Sequence, residues 1–354
     1  MQIHNKLKNP VISGALLLTA AGILGKIIGF FYRIFLSRTI GAEGLGIYQL
    51  IFPISTICFA ITVSGLSTSL SKFIAEYKDK DPTAPKRFLR ACLLLSGILS
   101  LAAMFVLFRY SSFIAKNILL EPRCEPLIPI LACSIPFASV HSCIHGYYYG
   151  KKKAGVPAVS SFIEQFVRVF FVFLLYQIHT EQGKPMDASA AVWGLVFGEA
   201  GAFLFCMTAL LLSKDKALIP SGFKVQGVGR KLVSYSIPLS MNRLALTLFA
   251  SFESILIPSR LGLFGYSQSD ALSVYGVLTG MALSIIMFPT VLTNSVSVMI
   301  LPVISEADSK HNTDKISQTI YQTIFACLLF GSLCTAGFLF TGNFSPASSA
   351  TRSF

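Results

Sequence analysis

Long apolar runs recur along the chain and are separated by short polar segments. A helix needs roughly 20 apolar residues to cross a bilayer, whereas a barrel strand needs about 10 residues of alternating polarity. Because the runs are continuous rather than alternating, they predict an all-α, polytopic membrane protein with about nine transmembrane helices. The predicted spans are 11–36, 45–71, 91–108, 127–149, 156–178, 189–212, 235–258, 271–302 and 318–341.

Two of these spans repeat each other. The stretch from Ala42 to Lys80 recurs, with changes, from Ala271 to Lys310. In each copy a tyrosine, Tyr48 or Tyr275, opens an apolar run that contains a proline and ends in a charged cluster. Elements that recur in the same order indicate two related lobes, which is a recurrent way of building membrane transporters.

The repeat also predicts how the chain is divided. We expect a first six-helix lobe at 1–212, a cytoplasmic linker at 213–231 and the first three helices of a second lobe at 232–341. If the lobes match, the second lobe lacks its last three helices. The polar tail at 342–354 has two interpretations, a foreign or frameshifted end and a natural short C-terminus.

Composition agrees with a membrane protein, since 53% of the residues are hydrophobic, 13% are charged and the mean hydropathy is +0.67. Seven of the eight cysteines fall inside predicted spans, where they pack as small apolar residues. Cys124 is the one loop cysteine, and it has no loop partner for a disulfide.

The net charge of +13 is distributed unevenly along the chain. Most lysines and arginines fall in segments on the same side as the N-terminus, so the positive-inside rule predicts a cytoplasmic N-terminus in the cell membrane. Membrane lipids are therefore expected partners of the basic loops. No basic stretch interleaves stacking aromatics, which argues against nucleic acid as a partner.

Several motifs resemble one family. They are GAEGLGIYQLIFP at 41–53, HGYYYGKKKAGVP at 145–157, SSFIEQFVRV at 160–169, and VYGVLTGMALSIIMFP at 274–289 followed by LPVISEA at 301–307. Together they resemble the stage V sporulation protein B group, which belongs to the multidrug, oligosaccharidyl-lipid and polysaccharide exporter superfamily and is related to lipid II flippases. The resemblance covers nearly all of residues 11–340.

The resemblance implies a two-lobed exporter fold that rocks about a central cavity in alternating access. It implies a flippase for a polyprenyl-pyrophosphate-linked saccharide, for this branch a peptidoglycan lipid precursor of the cell wall or spore cortex. It implies no cofactor, and it leaves the oligomeric state open.

The sequence leaves three other functions to consider. A cation-coupled multidrug exporter of the same superfamily would carry a carboxylate in the first span, where this chain has Lys26 and Arg33 instead. A membrane enzyme would need loop carboxylates, metal ligands or a long extramembrane segment, so we predict that the protein is not an enzyme. A non-transporting, truncated remnant of a flippase remains an alternative.

Basic residues inside the predicted spans are the candidates for substrate binding, because ionisable groups at bilayer depth are costly unless they are paired or hydrated. Lys26 and Arg33 lie seven residues apart, hence on one helix face, and could bind a pyrophosphate. Asn242 and Arg243 in the seventh span could add a contact from the second lobe. The alternative for both arginines is snorkelling towards the membrane interface. The family that the chain resembles commonly has a basic residue at this place ahead of a glycine, and Lys26 ahead of Gly29 matches that arrangement.

Acidic residues in the spans suggest two further roles. Glu164 and Arg168 are four residues apart and predict an internal ion pair, either structural or gating. Glu199 and Glu253 are candidates for coupling to a proton or cation.

Two more patterns concern metal binding and helix shape. His141 and His145 have the spacing of metal ligands on a helix, but no third ligand accompanies them in the sequence, so no metal is predicted. Pro53 and Pro289 predict kinks. Our hypothesis is that these bends let the second and eighth spans close over the cavity.

Overall fold

The computed structural model describes residues 10–77, 81–213, 227–287 and 289–342. The predictions for the polar tail, for most of the inter-lobe linker and for the basic N-terminal residues fall outside these ranges. All regular secondary structure in the described residues is helical.

Six long helices precede the linker, and we call them the first group. They are α1 Pro10–Thr39, α2 Gly41–Tyr77, α3 Ala84–Ile118, α4 Leu127–Gly150, α5 Gly155–Glu181 and α6 Ala188–Leu212. The second group is α7 Val228–Leu263, α8 Gln268–Val277, α9 Leu283–Ile286, α10 Thr290–Ser309 and α11 Thr313–Gly342. Within the described residues, nine helices are long and apolar enough to cross a membrane, which confirms the predicted number.

The helix ends follow local chemistry. The Asp187 side chain accepts a hydrogen bond from the Ser189 backbone N–H at the start of α6. In the same way, the Ser267 side chain accepts a hydrogen bond from the Asp270 backbone N–H at the start of α8. Such caps satisfy backbone N–H groups that have no partner inside the helix. Only Ile40 separates α1 from Gly41, whose φ of +77° suits a residue without a side chain. This allows α2 to begin at once after α1.

Helices α1 to α6 alternate in direction. We call the side at which α1 begins the near side and the opposite side the far side. Contacts between distant segments agree with this alternation, since Lys152 after α4 pairs with Glu306 late in α10, and Arg123 before α4 pairs with Glu43 early in α2.

The two copies of the sequence repeat are interrupted at matching places. In α2, helical geometry is disturbed at Ile51, three residues after Tyr48, and again in a π-helical turn that starts at Ala60, twelve residues after it. In the second copy, a π-helical turn starts at Leu278, three residues after Tyr275, and a turn follows at Met287, twelve residues after it. Matching interruptions are what two related lobes would show.

The predicted single span at 271–302 is therefore two pieces in the structure. Helix α9 ends at Ile286 and α10 begins at Thr290, with Pro289 as the residue before its first turn. Proline has no backbone N–H, so it favours a helix start and disfavours a helix interior. In α2, Pro53 lies in the first helical turn after the disturbance at Ile51, where a missing backbone N–H is likewise tolerated.

The two copies of the repeat pack directly on each other where α2 crosses α8. A Cβ atom added at Gly46 would overlap the backbone carbonyl of Leu272, and one added at Gly276 would lie 2.7 Å from the carbonyl oxygen of Ala42. Tyr48 and Tyr275 next to the crossing are both 98% buried, with relative exposures of 2%. Glycine at this crossing thus lets the backbones of the two groups touch.

Two buried apolar clusters join the first and second groups, one towards the far side and one towards the near side. The far-side cluster contains Tyr48, Leu131, Ala191 and Tyr275, and the near-side cluster contains Ile74, Tyr147 and Leu210 from the first group with Leu232 from α7. Each cluster includes residues of both groups. The polar cavities described below lie between them.

Replacing Gly46 with alanine should destabilise the contact between the groups. The new methyl group would have to move backbone rather than a side chain, and overpacking of this kind typically costs about 1–3 kcal/mol. We expect a lower melting temperature by fluorescence-detected size-exclusion chromatography. Gly97→Ala in α3 is the matched control, because nothing lies within 4 Å of its added Cβ. Equal melting of the two variants would show that the crossing is not tight.

Candidate functional site

Three adjoining cavities occupy the middle of the described structure, with volumes of about 390, 350 and 320 Å³. We call them the central, α1 and α10 cavities. The central cavity shares Ser161 and Glu164 with the α1 cavity, and it shares His145 and Arg243 with the α10 cavity. Helices of both groups line the central and α10 cavities, whereas the residues that line the α1 cavity all belong to the first group.

Small residues of α1 open the α1 cavity. Gly25 and Gly29 lie on its wall, and an added Cβ at Gly29 would meet nothing within 4 Å. Lys26 and Arg33 lie on the same wall, because residues two helical turns apart share one face of α1. The structure thus brings these two predicted cations into one cavity, facing α5.

An ion pair within α5 faces the two cations. Arg168 Nη2 donates to Glu164 Oε1, one helical turn away, and both side chains are less than 20% exposed. The backbone of α5 can approach α6 here because the facing residue is Gly198, where an added Cβ would lie 2.8 Å from the Glu164 carbonyl oxygen. The predicted pair is therefore present and lines the α1 cavity.

Hydroxyl groups dominate the central cavity. Arg243 and Thr247 of α7 face a wall of serines and threonines from the first group. The hydroxyl-bearing residues from α2, α4 and α5 are Ser55, Thr56, Ser64, Ser134, Ser139, Ser142 and Ser161. Ser64 and Ser134 already donate to carbonyls of their own helices, and Ser139 pairs with Thr62. The hydroxyl oxygens that face the cavity can still accept hydrogen bonds from a polar, uncharged ligand such as a sugar.

A second acidic group in the central cavity has a partner that the sequence did not suggest. Glu199 of α6, a predicted coupling residue, has its Oε2 2.9 Å from His141 Nε2 on α4. The pairing depends on which helices face each other, and no sequence pattern reveals that. His145 lies one turn further along α4 and lines the central and α10 cavities.

The remaining predicted residues lie elsewhere. Asn242 and Glu253 are exposed residues of α7 and line none of the three cavities, although Asn242 neighbours Arg243. Pro53 and Pro289 lie at helix interruptions outside these cavities.

Polar bridges on the far side join the two groups. Arg123 donates to Glu121 at 2.8 Å and to Glu43 at 2.6 Å, and Gln268 of the second group donates to Glu121 at 2.8 Å. Glu121 is only 3% exposed. Burial alone would raise the pKa of Glu121, but its hydrogen bonds from Arg123 outweigh burial and hold the pKa below the usual value. Glu121 is thus held as a carboxylate that accepts bonds from both groups.

A second bridge joins the groups on the near side. Lys152, after α4, donates to Glu306 of α10, and both side chains are 14% exposed. Lys310 also pairs with Glu306, at 3.1 Å. Neither bridge was predicted, because each joins segments that are far apart in sequence.

Solved structures with a similar fold are membrane transporters. A multidrug resistance MATE family transporter of the MOP superfamily, in an outward-facing conformation, matches with a TM-score of 0.74 at 13% identity, over 95% of this chain and 74% of that one. A MOP superfamily transporter from Pyrococcus furiosus matches with a TM-score of 0.71 at 15% identity, over 95% of this chain and 73% of that one. These likenesses show that the fold is MATE-like.

Two relatives by sequence come from Bacillus subtilis strain 168. Stage V sporulation protein B is 28% identical over 333 residues, which are 92% of this chain and 64% of that protein. The lipid II flippase MurJ is 22% identical over 340 residues, which are 90% of this chain and 62% of that protein. The chain thus spans less than two thirds of the length of either relative. The sequence profile of the polysaccharide biosynthesis protein family matches residues 11–308. The chain is a multi-pass membrane protein that belongs to this family.

Proposed function

We propose that the protein is a flippase that moves a polyprenyl-pyrophosphate-linked saccharide across the cytoplasmic membrane, with its N-terminus in the cytoplasm. The observation that carries this proposal is the basic lining of the three adjoining cavities. Four cations outnumber two carboxylates there. They are Lys26, Arg33, Arg168 and Arg243, with Glu164 and Glu199 as the carboxylates.

A pyrophosphate suits this lining. Arginine binds phosphate oxygens through two parallel N–H groups, and lysine supplies a compact positive charge. Lys26 of the first group lines the α1 cavity and Arg243 of the second group lines the adjoining central cavity, so a substrate that extends through both cavities would contact both groups. A ligand that binds both groups can change the equilibrium between their arrangements, because its affinity differs from one arrangement to another.

The hydroxyl wall supports a saccharide as the other part of the substrate. Serine and threonine side chains both donate and accept hydrogen bonds, as sugar hydroxyls do. The polyprenyl chain would remain in the surrounding lipid. We infer a peptidoglycan lipid precursor from the relatives, because one of them is named a lipid II flippase and another a sporulation protein.

Alternating access would require the two bridges to open in turn. Opening the far side would separate Gln268 from Glu121, and opening the near side would separate Lys152 from Glu306. We expect the interrupted helices α2 and α8 to α10 to bend during this motion, as the prolines predict.

A cation-coupled multidrug exporter is the second candidate. The fold likeness to a multidrug resistance transporter favours it, and so do the two carboxylates in the cavities. A cationic drug would bind through Glu164 and Glu199, and it would be repelled by the four basic residues. The two candidates thus predict opposite effects of charge removal.

Removing a cation should weaken binding of the proposed substrate. We expect Lys26→Ala and Arg243→Ala each to raise the Kd of the purified protein for polyprenyl pyrophosphate about tenfold, since a charge-assisted hydrogen bond contributes at least about 1.4 kcal/mol. Binding to detergent-solubilised protein can be measured by native mass spectrometry. Flipping in proteoliposomes should fall in parallel.

Arg260→Ala is the matched control, because Arg260 is an exposed arginine of the same helix and lines none of the cavities. Unchanged binding and flipping in both cavity variants would remove the substrate assignment. Tighter binding of a cationic dye in those same variants would favour the drug exporter.

The Glu164–Arg168 pair should be structural, and a double-mutant cycle can test this. Arg168→Gln leaves a half-buried carboxylate without its charge partner, and breaking such a pair costs about 3 kcal/mol. Removing both charges in Glu164→Gln/Arg168→Gln should restore most of the lost melting temperature. If the stability lost in the double variant equals the sum of the losses in Glu164→Gln and Arg168→Gln, the two residues act independently.

Straightening the interrupted helices should slow flipping. We expect Pro53→Ala and Pro289→Ala to reduce the flipping rate in proteoliposomes without loss of substrate binding, because alanine allows the helices to continue through the break. Pro129→Ala is the control, since Pro129 lies in the first turn of α4, where proline displaces no helical hydrogen bond. Flipping at the normal rate in both variants would exclude a role for the bends.

A further inference from the structure

Three potential metal ligands meet between α4 and α6. His141 and His145 lie one turn apart on α4, and Cys206 faces them from α6. One ring nitrogen of each histidine and the Cys206 Sγ all lie within 4.8 Å of one another. The sequence offers only the two histidines as a pattern, because the third ligand comes from a helix more than sixty residues away.

Each histidine has a buried nitrogen that lacks a hydrogen-bond partner. His141 is 6% exposed, its Nε2 lies against the Glu199 carboxylate, and its Nδ1 has no partner among the described residues. The Nε2 of His145 is likewise buried without a partner there. Buried polar atoms nearly always have one, so two orphaned nitrogens beside one thiol call for a ligand.

We propose that His141 Nδ1, His145 Nε2 and Cys206 Sγ form a site for one divalent ion of the zinc class. Imidazole nitrogen and thiolate sulfur are ligands that zinc prefers, whereas magnesium and calcium prefer oxygen. The site adjoins the proposed pyrophosphate contact Arg243 in the central cavity, but its ligands are different residues and it does not depend on the proposed function.

Glu199 completes the arrangement without being a ligand. A metal-bound histidine usually directs its other ring nitrogen to a carboxylate, which fixes the orientation of the ring. His141 Nε2 lies at an ion-pair distance of 2.9 Å from Glu199 Oε2, and a small rotation of the ring would align the two for a hydrogen bond with Nδ1 left for the ion. Glu199 is therefore a positioning residue for the site.

Charge also favours a divalent ion at this depth. With both imidazoles neutral, the Cys206 thiolate and the Glu199 carboxylate together balance the two positive charges. A neutral cluster avoids the cost of an uncompensated charge between membrane-spanning helices. The Ser160 hydroxyl, 3.2 Å from Cys206 Sγ, can turn to donate to the thiolate.

One coordination position would face the central cavity. Both histidines line that cavity, and three protein ligands leave the fourth position of a tetrahedral ion open. A water molecule or another oxygen donor from the cavity would occupy it. Structural zinc sites have four protein ligands, whereas zinc sites that bind an exogenous group have three. The three ligands here correspond to the second kind.

Cobalt substitution tests the site directly. The full chain is purified in detergent without a histidine tag, stripped with a chelator and titrated with CoCl₂. We expect one Co²⁺ per chain, with visible bands of tetrahedral cobalt and a near-ultraviolet thiolate-to-cobalt band, and all of them should disappear on addition of one equivalent of ZnCl₂. His145→Gln and Glu199→Gln should weaken binding about 10- to 100-fold.

Cys206→Ser should remove the thiolate band, whereas Cys133→Ser should keep it, because Cys133 lies on α4 outside the cluster and its thiol contacts the Pro129 carbonyl. Zinc should also protect Cys206 of the unmodified chain from alkylation, measured by peptide mass spectrometry, so the test does not depend on the folding of a variant. Absence of the thiolate band, or alkylation of Cys206 at the same rate with and without zinc, would overturn the proposal.

Discussion

The cost of placing charge inside an apolar bilayer governs this structure. Six ionisable side chains line cavities among helices that otherwise present mostly apolar surfaces. Such charges are tolerated only where they pair or face a polar space. The fold meets this requirement by confining them between two apolar clusters, each of which joins the first and second groups. Any function of the cavities therefore depends on the contact between the groups.

That contact is made by the repeated segments. Gly46 and Gly276 allow α2 and α8 to touch at the backbone, on the far side of the cavities. The interruptions follow at three and twelve residues beyond each tyrosine in both copies, although the prolines do not occupy equivalent positions. Pro53 accompanies the first interruption of its copy and Pro289 the second of the other. The breaks thus belong to the repeat, and proline is only one of the means by which they form.

Sequence periodicity predicted the fold class and the number of spans, because hydrophobic length is a local property. It also predicted the ion pair of Glu164 and Arg168, since residues four apart share a helix face. It could not predict that His141 faces Glu199 or that Gln268 meets Glu121, because those pairs depend on which helices are neighbours. The same limit explains Asn242, which adjoins Arg243 in sequence but points away from the cavities. Adjacent residues on a helix are about 100° apart, so they do not share a face.

The bridges on the two sides suit a molecule whose groups move relative to each other. Gln268 with Glu121 and Lys152 with Glu306 join the groups near the ends of helices. The carboxylates of both bridges are as buried as that of Glu164, but polar side chains at helix ends can be hydrated once the two helix groups separate. The pair of Glu164 and Arg168 lies within a single helix and does not have to break in that motion. The polar contacts that must open therefore lie near the helix ends, while the pair inside the membrane stays within one rigid element. Motion between two arrangements then requires little exposure of uncompensated charge, which is the condition that a bilayer imposes on any such transporter.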